Sequence, residues 1–373
     1  MTRLSVSKWV AKALAVGPMA ALKDSYHRPR EPAIGDGAKA WVVHLACSKP
    51  KDLGYAAEVW SRQALARHIR DEMGKVVVGQ EDLKTECLLT LLCQGHALLE
   101  GVPGLAKTLA IKTLSRLLGL EFQRVQCTSD LMPADIIGTN VMHLADGTFR
   151  LHQGPVFTHL LLVDEVNRMP PRTQAALLEC MEERQVTIDG TRHELSSFFT
   201  VFATQNPIDF EGTYQLPEAE LDRFLVKIRV QYPGADEEVR LLSNVHGGFD
   251  AHDLDAADLR PVPPDLLASA RLQTRSVAVQ ESLFTYVVQL ARRTRQWPAL
   301  SLGASPRAAV SLMRFAQALA AIDGRAYVVP DDVKQAMLPV LRHRVIVRPE
   351  ADLEGMDADQ ILLDVIRAVE VPR

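Results

Sequence analysis

Residues 95–108 read GHALLEGVPGLAKT, and this stretch decides how the chain folds. A short apolar run is followed by glycine and proline, and then by a helical pattern that begins at Lys107. A strand, a tight loop and a helix N-terminus in this order point backbone N–H groups at an anion such as phosphate. Lys107 adds a positive charge, and the Thr108 hydroxyl can hold a magnesium ion. The residues predicted to bind the phosphates are Gly101, Val102, Pro103, Gly104, Leu105, Ala106, Lys107 and Thr108.

Ala106 departs from the phosphate-loop pattern G-x-x-x-x-G-K-[ST], which has glycine at this position. Because Ala106 starts the helix, we expect it to adopt right-handed dihedral angles, which alanine tolerates. The alanine also leaves less room for a phosphate beside the backbone. From this loop alone, an ordinary strand-to-helix turn ending in Lys-Thr stays an alternative. Whether the loop binds phosphate therefore has to be judged from residues further along the chain.

Polar residues also follow two later strand-like runs. Residues 158–165 read THLLLVDE, an apolar run typical of a buried central strand, with two acids at its carboxyl end. Ligands of open parallel sheets bind at that edge, so Asp164 is expected to hold magnesium and Glu165 to polarise the water that attacks a γ-phosphate. The run FFTVFATQN ends on Asn206, which either contacts the γ-phosphate and orients water or only starts a turn before Pro207.

Two arginines are candidates for further contacts with the γ-phosphate. Arg223 precedes the strand-like run FLVKIRV, and it either pairs with Asp222 on the surface or acts as an arginine finger on the ATP of a neighbouring subunit. Arg307 follows Pro306 at a predicted helix start. It is either a residue of the helix surface or a lid contact on the γ-phosphate.

Composition narrows the class of protein. A chain of 373 residues favours two or three domains, and 47% hydrophobic with 24% charged residues is typical of a globular protein. The five cysteines are scattered with no C-x-x-C pair, which favours reduced thiols and a cytoplasmic location over a disulfide framework or a zinc site. No apolar run reaches the roughly 18 residues of a membrane span. Because Gly17-Pro18 interrupts the apolar N-terminal stretch, no secretory signal is predicted.

The motifs, taken in order, resemble those of the AAA+ ATPases and of the MoxR family in particular. The resemblance runs from about residue 71 to the C-terminus. The segments that carry it are VVVGQ (76–80), LLEGVPGLAKT (98–108), DLMPADIIGT (130–139), GPVFTHLLLVDEVNR (154–168), TQAALLECMEERQVT (173–187), ATQNP (203–207), EGTYQLPEAELDRF (211–224), GASPRA (303–308) and YVVPDDV (327–333).

The MoxR resemblance implies an α/β fold, in which a P-loop AAA+ core with a parallel sheet is followed by an all-helical lid. It also implies ATP and Mg²⁺ as cofactors. Lys107 and Thr108 match the first nucleotide motif of the family, and Asp164 and Glu165 match the second. An alanine in the GLAKT ending is similar to a common variant in the family, so Ala106 no longer counts against the motif.

The same resemblance implies roles in an assembly of subunits. Asn206 matches the polar sensor, Arg223 the finger supplied in trans, and Arg307 the sensor on the lid. A homo-hexameric ring is implied, together with protein clients that bear von Willebrand factor A domains and a part in metal-cofactor assembly.

Local patterns favour the same architecture. Alternation of strands with helices predicts a parallel sheet, and from about residue 235 only helical spacing is found. The strand-like runs lie at about 96–100, 121–127, 158–164, 198–204 and 224–231. The predicted domains are a basic N-terminal extension (1–70), an AAA+ core (71–232) and a helical lid (233–373).

Two Asp-Gly pairs, Asp146-Gly147 and Asp189-Gly190, stand between alternating apolar residues and predict β-hairpins. In related ATPases, hairpins at these places look toward a central pore or a client. The hairpins are therefore expected to contact a client, although closing the surface is the alternative.

The N-terminal extension is basic and lies outside the MoxR resemblance. Residues 1–75 contain 13 Lys and Arg against 7 Asp and Glu, whereas the whole chain has 42 against 46. Residues of about 45–70 resemble a helix-turn-helix segment of DDE-type insertion-sequence transposases. DNA binding by this helical extension is one reading, and a fusion scar or a misplaced start site is favoured over it.

The sequence thus predicts an ATP-hydrolysing machine of MoxR type that remodels or activates partner proteins. Two alternatives use the same motifs. One is a DNA-binding regulator in which ATP drives assembly on DNA, and the other is a chelatase-type motor subunit for inserting magnesium into a macrocycle.

Overall fold

The computed structural model describes residues 61–143, 147–207, 214–251, 253–263 and 265–372. The predicted helix-turn-helix and nearly all of the basic extension lie outside these residues. A helix, α1 (Arg62–Gly74), crosses the predicted boundary at residue 70. None of the helices in the described ranges has the length and apolar character that a membrane span requires.

Five parallel strands form the central sheet, which confirms the predicted fold class. The strands, in their order across the sheet, are β2 (Phe122–Gln126), β5 (Leu160–Asp164), β8 (Thr200–Gln205), β1 (Ala97–Glu100) and β9 (Val226–Arg229). β5 is buried along its whole length, which is why its sequence is a continuous apolar run. β2 lies at an edge and exposes three of its five residues, so its pattern is partly polar.

Helices flank the sheet and supply the apolar core on its faces. In the part of the core domain that is described they are α2 (Glu81–Leu92), α3 (Lys107–Leu117), α4 (Pro133–Ile137), α5 (Pro171–Glu183) and α6 (Glu218–Leu221). α5 packs its buried face against the sheet, where Phe199 and Phe224 are fully buried. This packing fixes the carboxyl edge of the sheet, at which the predicted site residues stand.

Two antiparallel hairpins project from the core. One joins β3 (Gly138–His143) to β4 (Thr148–Gln153), and the Asp146 of its predicted turn lies outside the described residues. The other joins β6 (Gln185–Ile188) to β7 (Thr191–Glu194). Asp189 and Gly190 between these strands both have positive φ, at 48° and 79°, as the predicted tight hairpin turn requires.

The C-terminal region is mainly helical. Its helices are α7 (Ala235–His246), α8 (Asp265–Arg275), α9 (Glu281–Arg295), α10 (Pro306–Ile322), α11 (Pro330–Leu341), α12 (Pro349–Leu353) and α13 (Ala358–Ala368). The structure also has a small antiparallel pair, β10 (Leu300–Leu302) with β11 (Ile346–Val347), which the expectation of an all-helical lid did not include. Strands of two and three residues are too short to leave a periodic pattern in the sequence.

One cluster of polar contacts attaches the helical region to the core next to Arg223. The Asp222 carboxylate accepts hydrogen bonds from Arg344 Nε (2.6 Å) and from the Ser305 hydroxyl (3.1 Å). Ser305 is also the N-cap of α10, since its side chain accepts from the Ala308 N–H. The start of α10 is therefore fixed relative to the end of α6.

Candidate active site

The phosphate loop connects β1 to α3 at the carboxyl edge of the sheet. Gly101 is required by close packing, because a Cβ at this residue would lie 2.7 Å from the carbonyl oxygen of Val230. Gly104 has a φ of +85°, a left-handed conformation that favours glycine. The loop thus has the tight shape that its sequence predicts.

Ala106 does not have the right-handed dihedral angles expected for it. Its φ of 58° and ψ of 20° are left-handed, and it is the N-cap of α3 rather than its first helical residue. The expectation was wrong because Ala106 belongs to the loop, where the chain turns before the helix begins at Lys107. For alanine this conformation costs roughly 1–2 kcal/mol.

We therefore expect Ala106→Gly to stabilise the protein. Glycine removes the left-handed strain of roughly 1–2 kcal/mol but restores about 0.4–1 kcal/mol of unfolded-state entropy. The net effect is an increase in melting temperature of about 1–2 °C, measured by calorimetry. Ala110→Gly, in a buried and helical position of α3, is the matched control and should lower the melting temperature. A decrease in both variants would contradict the strained conformation of Ala106.

Lys107 lies at the start of α3 with its side chain over the loop. Its Nζ donates a hydrogen bond of 2.5 Å to the Gly101 carbonyl. Partial burial lowers the pKa of Lys107 below its usual value, and the nearby carboxylates of Asp164 and Glu165 act in the opposite direction. The amine thus lies between the loop and the two acids.

Asp164 and Glu165 stand at the end of β5, where the strand register brings them beside β8. Asp164 is 7% exposed, and its Oδ1 accepts a hydrogen bond of 3.1 Å from the Thr204 hydroxyl. The same hydroxyl accepts from the Glu165 N–H at 2.9 Å. Glu165 has a φ of 59°, a strained conformation for a residue other than glycine, and such strain is concentrated at functional sites. Thr204 therefore fixes the Asp164 carboxylate and the backbone of Glu165.

Two side chains of the edge strand β2 also contact these acids, and sequence reasoning missed them. Arg124 Nε donates to Asp164 Oδ2 at 2.6 Å, and Gln126 Nε2 donates to Glu165 Oε2 at 3.1 Å. Arg124 and Gln126 alternate along an edge strand, so both point into the site. That alternation of polar residues in FQRVQ was the available signal. Arg124 also donates to Gln126, which links the two contacts.

Most of the predicted residues meet in a cavity of about 570 Å³, whose lining includes Lys107, Thr108, Asp164, Glu165 and Asn206. Of the predicted phosphate loop, Gly101 and Val102 are not in the lining. Apolar side chains line the cavity as well, and the sequence did not predict them because they come from segments that are distant in the chain. These residues are Val76, Val77, Leu241, Val245 and Phe249. A cavity of this size, with both polar and apolar lining, suits a nucleotide.

The oxygen atoms that line this cavity also fit a magnesium ion. Thr108 and Asp164 bring a hydroxyl and a carboxylate to the same cavity, and Mg²⁺ prefers oxygen ligands of this kind. Each oxygen of Asp164 accepts one protein hydrogen bond and keeps a second lone pair for an ion.

Arg223 and Arg307 do not line this cavity. They line a second cavity of about 230 Å³ on another face of the subunit. Both are paired with one carboxylate: Glu182 lies 3.2 Å from Arg223 Nε and 3.2 Å from Arg307 Nη1. The alternative that Arg223 pairs with Asp222 is wrong, because Arg223 pairs with Glu182 and Asp222 pairs with Arg344.

Two family models match the chain. Residues 96–226 match the ATPase family associated with various cellular activities (AAA), and residues 292–365 match the AAA lid domain. The first covers four of the five sheet strands with the phosphate loop and both acids, and the second covers much of the helical region.

Individual proteins are similar over most of their length. The chain is 40% identical to the uncharacterized protein YeaC of Bacillus subtilis (strain 168), over 81% of this chain and 93% of that protein. It is 39% identical to Chaperone MoxR1 of Mycobacterium tuberculosis, over 86% of this chain and 85% of that protein. A crystal structure of a candidate ATPase from Cytophaga hutchinsonii has a TM-score of 0.77 and 39% identity, and covers 84% of this chain and 96% of that one.

Proposed function

Because this chain belongs to the MoxR family of AAA+ ATPases, we propose that it binds ATP with Mg²⁺ in the 570 Å³ cavity and uses hydrolysis to remodel or activate a partner protein. The observation that carries the proposal is the division of the predicted site between two faces of the subunit. The phosphate loop and the acids line one cavity, and the two arginines line the other.

The first cavity supports the binding of ATP along its length. The apolar side chains of the lining, which include Val77 and Leu241, take the adenine ring, and the loop N–H groups with Lys107 take the phosphates. Thr108 and Asp164 hold Mg²⁺, which when bound neutralises charge on the phosphate oxygens.

Hydrolysis is assigned to the carboxyl edge of the sheet. Glu165 accepts the proton of the attacking water. Gln126 and Arg168 hold its carboxylate, and Thr204 holds its backbone N–H. Asn206 is 9% exposed at the end of β8 and lines the same cavity, so its amide can contact the γ-phosphate and orient that water.

The second cavity supports an assembly in which each subunit completes the ATP site of its neighbour. Arg223 and Arg307 act on the ATP of a neighbour, because their own loop lies in a different cavity. A ring of identical subunits repeats such a head-to-tail contact and closes it, and we propose a homo-hexamer. Arg307 thus keeps its proposed role at the γ-phosphate, but in trans.

The two hairpins are the proposed contact with the client. Met142 and Phe149 are paired across the first hairpin and are 51% and 70% exposed, which is unusual for large apolar side chains. Asn140 donates to Asp189 of the second hairpin at 2.8 Å, so the two hairpins are joined. Clients with a von Willebrand factor A domain, a part in metal-cofactor assembly and a cytoplasmic location belong to the same proposal.

The test of this proposal is the dependence of ATPase activity on assembly. We expect Mg²⁺-dependent hydrolysis whose rate per subunit rises with protein concentration and then levels off, because arginines from a neighbour complete each site. Phosphate release is measured over a dilution series, and the assembly state is measured in parallel by light scattering. A rate per subunit that stays constant down to the monomer would contradict a site shared between subunits.

A further inference from the structure

Glu182 connects the two arginines of the second cavity. One carboxylate oxygen, Oε2, lies 3.2 Å from Nε of Arg223, which follows α6 of the core. The other oxygen, Oε1, lies 3.2 Å from Nη1 of Arg307, in the first turn of α10. Each arginine thus gives up one of its five N–H donors to Glu182, and the remaining donors are left for an anion.

The surroundings keep this trio in one place. Asp222 is adjacent to Arg223 and accepts from Ser305, which caps the helix that carries Arg307. Arg344, which is buried, pairs with Asp222 and donates to the carbonyl of Phe224. The backbones on both sides of Glu182 are therefore anchored to each other, and the carboxylate sets only the direction of the two guanidinium groups.

The second cavity as a whole has a charge that suits an anion. The described residues that line it have an excess of three positive charges, since His96 is kept neutral by burial, which lowers its pKa to about 3. The positive side chains are Arg184, Arg223, Arg307, Arg314 and Arg344, and the negative ones are Glu182 and Asp222.

The position of Glu182 is not explained by stability. It lies in the last turn of α5, where the helix dipole disfavours a negative charge. Its side chain is 41% exposed, and ion pairs with that exposure contribute little to the free energy of unfolding. Two arginines directed at one phosphate also repel each other, and a carboxylate between them offsets that repulsion.

We propose that Glu182 is a positioning residue that holds Arg223 and Arg307 in the paired geometry needed to contact the γ-phosphate of a neighbouring subunit's ATP. This inference rests on the proposed action of the two arginines in trans. Glu182 does not touch the nucleotide. It fixes the spacing of two donors, one from the core and one from the helical region, so that both reach one phosphate together.

The test is Glu182→Gln in the full-length protein above the concentration at which it assembles. The amide keeps the size of the side chain, but its NH₂ group cannot accept from an arginine, so only one of the two can be held. We expect kcat to fall about 10- to 100-fold, as for other misplaced catalytic groups. ATP affinity of the same subunit, measured by equilibrium binding, should be unchanged, and so should the melting temperature, within about 2 °C. Glu182→Asp should recover part of kcat.

Two comparisons distinguish positioning from general damage. Glu183→Gln is the matched control, since the neighbouring Glu183 is exposed and does not line the cavity. Mixing Glu182→Gln with Lys107→Ala subunits should restore turnover, because intact arginine pairs then face intact ATP sites.

The outcomes separate this inference from the function on which it depends. A wild-type kcat in Glu182→Gln, with Arg223→Ala still inactive and rescued in trans, overturns the inference alone. A higher kcat also overturns it, since Glu182 would then restrain the arginines. Failure of both Arg223→Ala and Arg307→Ala to lower turnover overturns the action in trans itself.

Discussion

Glu165→Gln is expected to bind ATP but to hydrolyse it about 10²–10⁴-fold more slowly than the wild type, because the amide cannot accept the proton of the attacking water. The substitution leaves the Asp164–Thr204 contact intact, and the Glu165 N–H still donates to Thr204. ATP affinity, measured by equilibrium dialysis, should therefore stay close to the wild-type value. The stalled protein should also retain its client, so affinity capture in ATP should enrich partners that a Lys107→Ala variant does not.

The control for this variant is Glu179→Gln, which makes the same chemical change at an exposed residue of α5. It should hydrolyse ATP at the wild-type rate. If Glu165→Gln kept full turnover, Glu165 would not be the proton acceptor, and a phosphate oxygen would have to serve instead.

Arg223→Ala is expected to lower kcat by about 10³–10⁵, the range found where an arginine finger stabilises the charge of phosphoryl transfer. Its own ATP site should be unaffected, because Arg223 does not line the nucleotide cavity. Mixing with Lys107→Ala subunits, which lack ATP but keep Arg223, should restore activity. Random mixing of equal amounts completes about a quarter of the interfaces in a ring, so a matching fraction of wild-type activity is the expected value.

Arg172→Ala is the matched control, since Arg172 is exposed on α5 and lines neither cavity. It should leave kcat within twofold. Inactivity of the Arg223→Ala and Lys107→Ala mixture, with both variants shown to assemble together, would argue that Arg223 acts within its own subunit.

The parts of the fold that the sequence predicts are those with local signals. β5 is recognisable because a strand buried on both faces must be apolar throughout, and its end is marked by Asp164 and Glu165. The turn at Asp189-Gly190 is recognisable because both residues tolerate positive φ. The phosphate loop combines an apolar strand with a glycine that tolerates positive φ, which is why it identifies the edge of the sheet.

The parts that could not be predicted depend on contacts between distant segments. Thr204 reads as one more residue of a buried strand, and only the register of β5 against β8 shows that it bonds to both acids. The left-handed Ala106 follows from the path of the loop, which no residue preference indicates. The partner of Arg223 is 41 positions away in the chain, at Glu182, and nothing in the local pattern connects the two.

The hydrogen bond between Asn140 and Asp189 has a mechanical consequence, because Asp189 is only seven residues from Glu182. The chain runs from Glu182 through the end of α5 directly into strand β6, with no flexible linker between them. A shift of the arginine pair when the neighbour loses its γ-phosphate would therefore pull on the root of one hairpin and, through Asn140, on the other. Under the proposed action in trans, this short segment would couple ATP hydrolysis in one subunit to movement of the hairpins in the subunit that supplies the arginines.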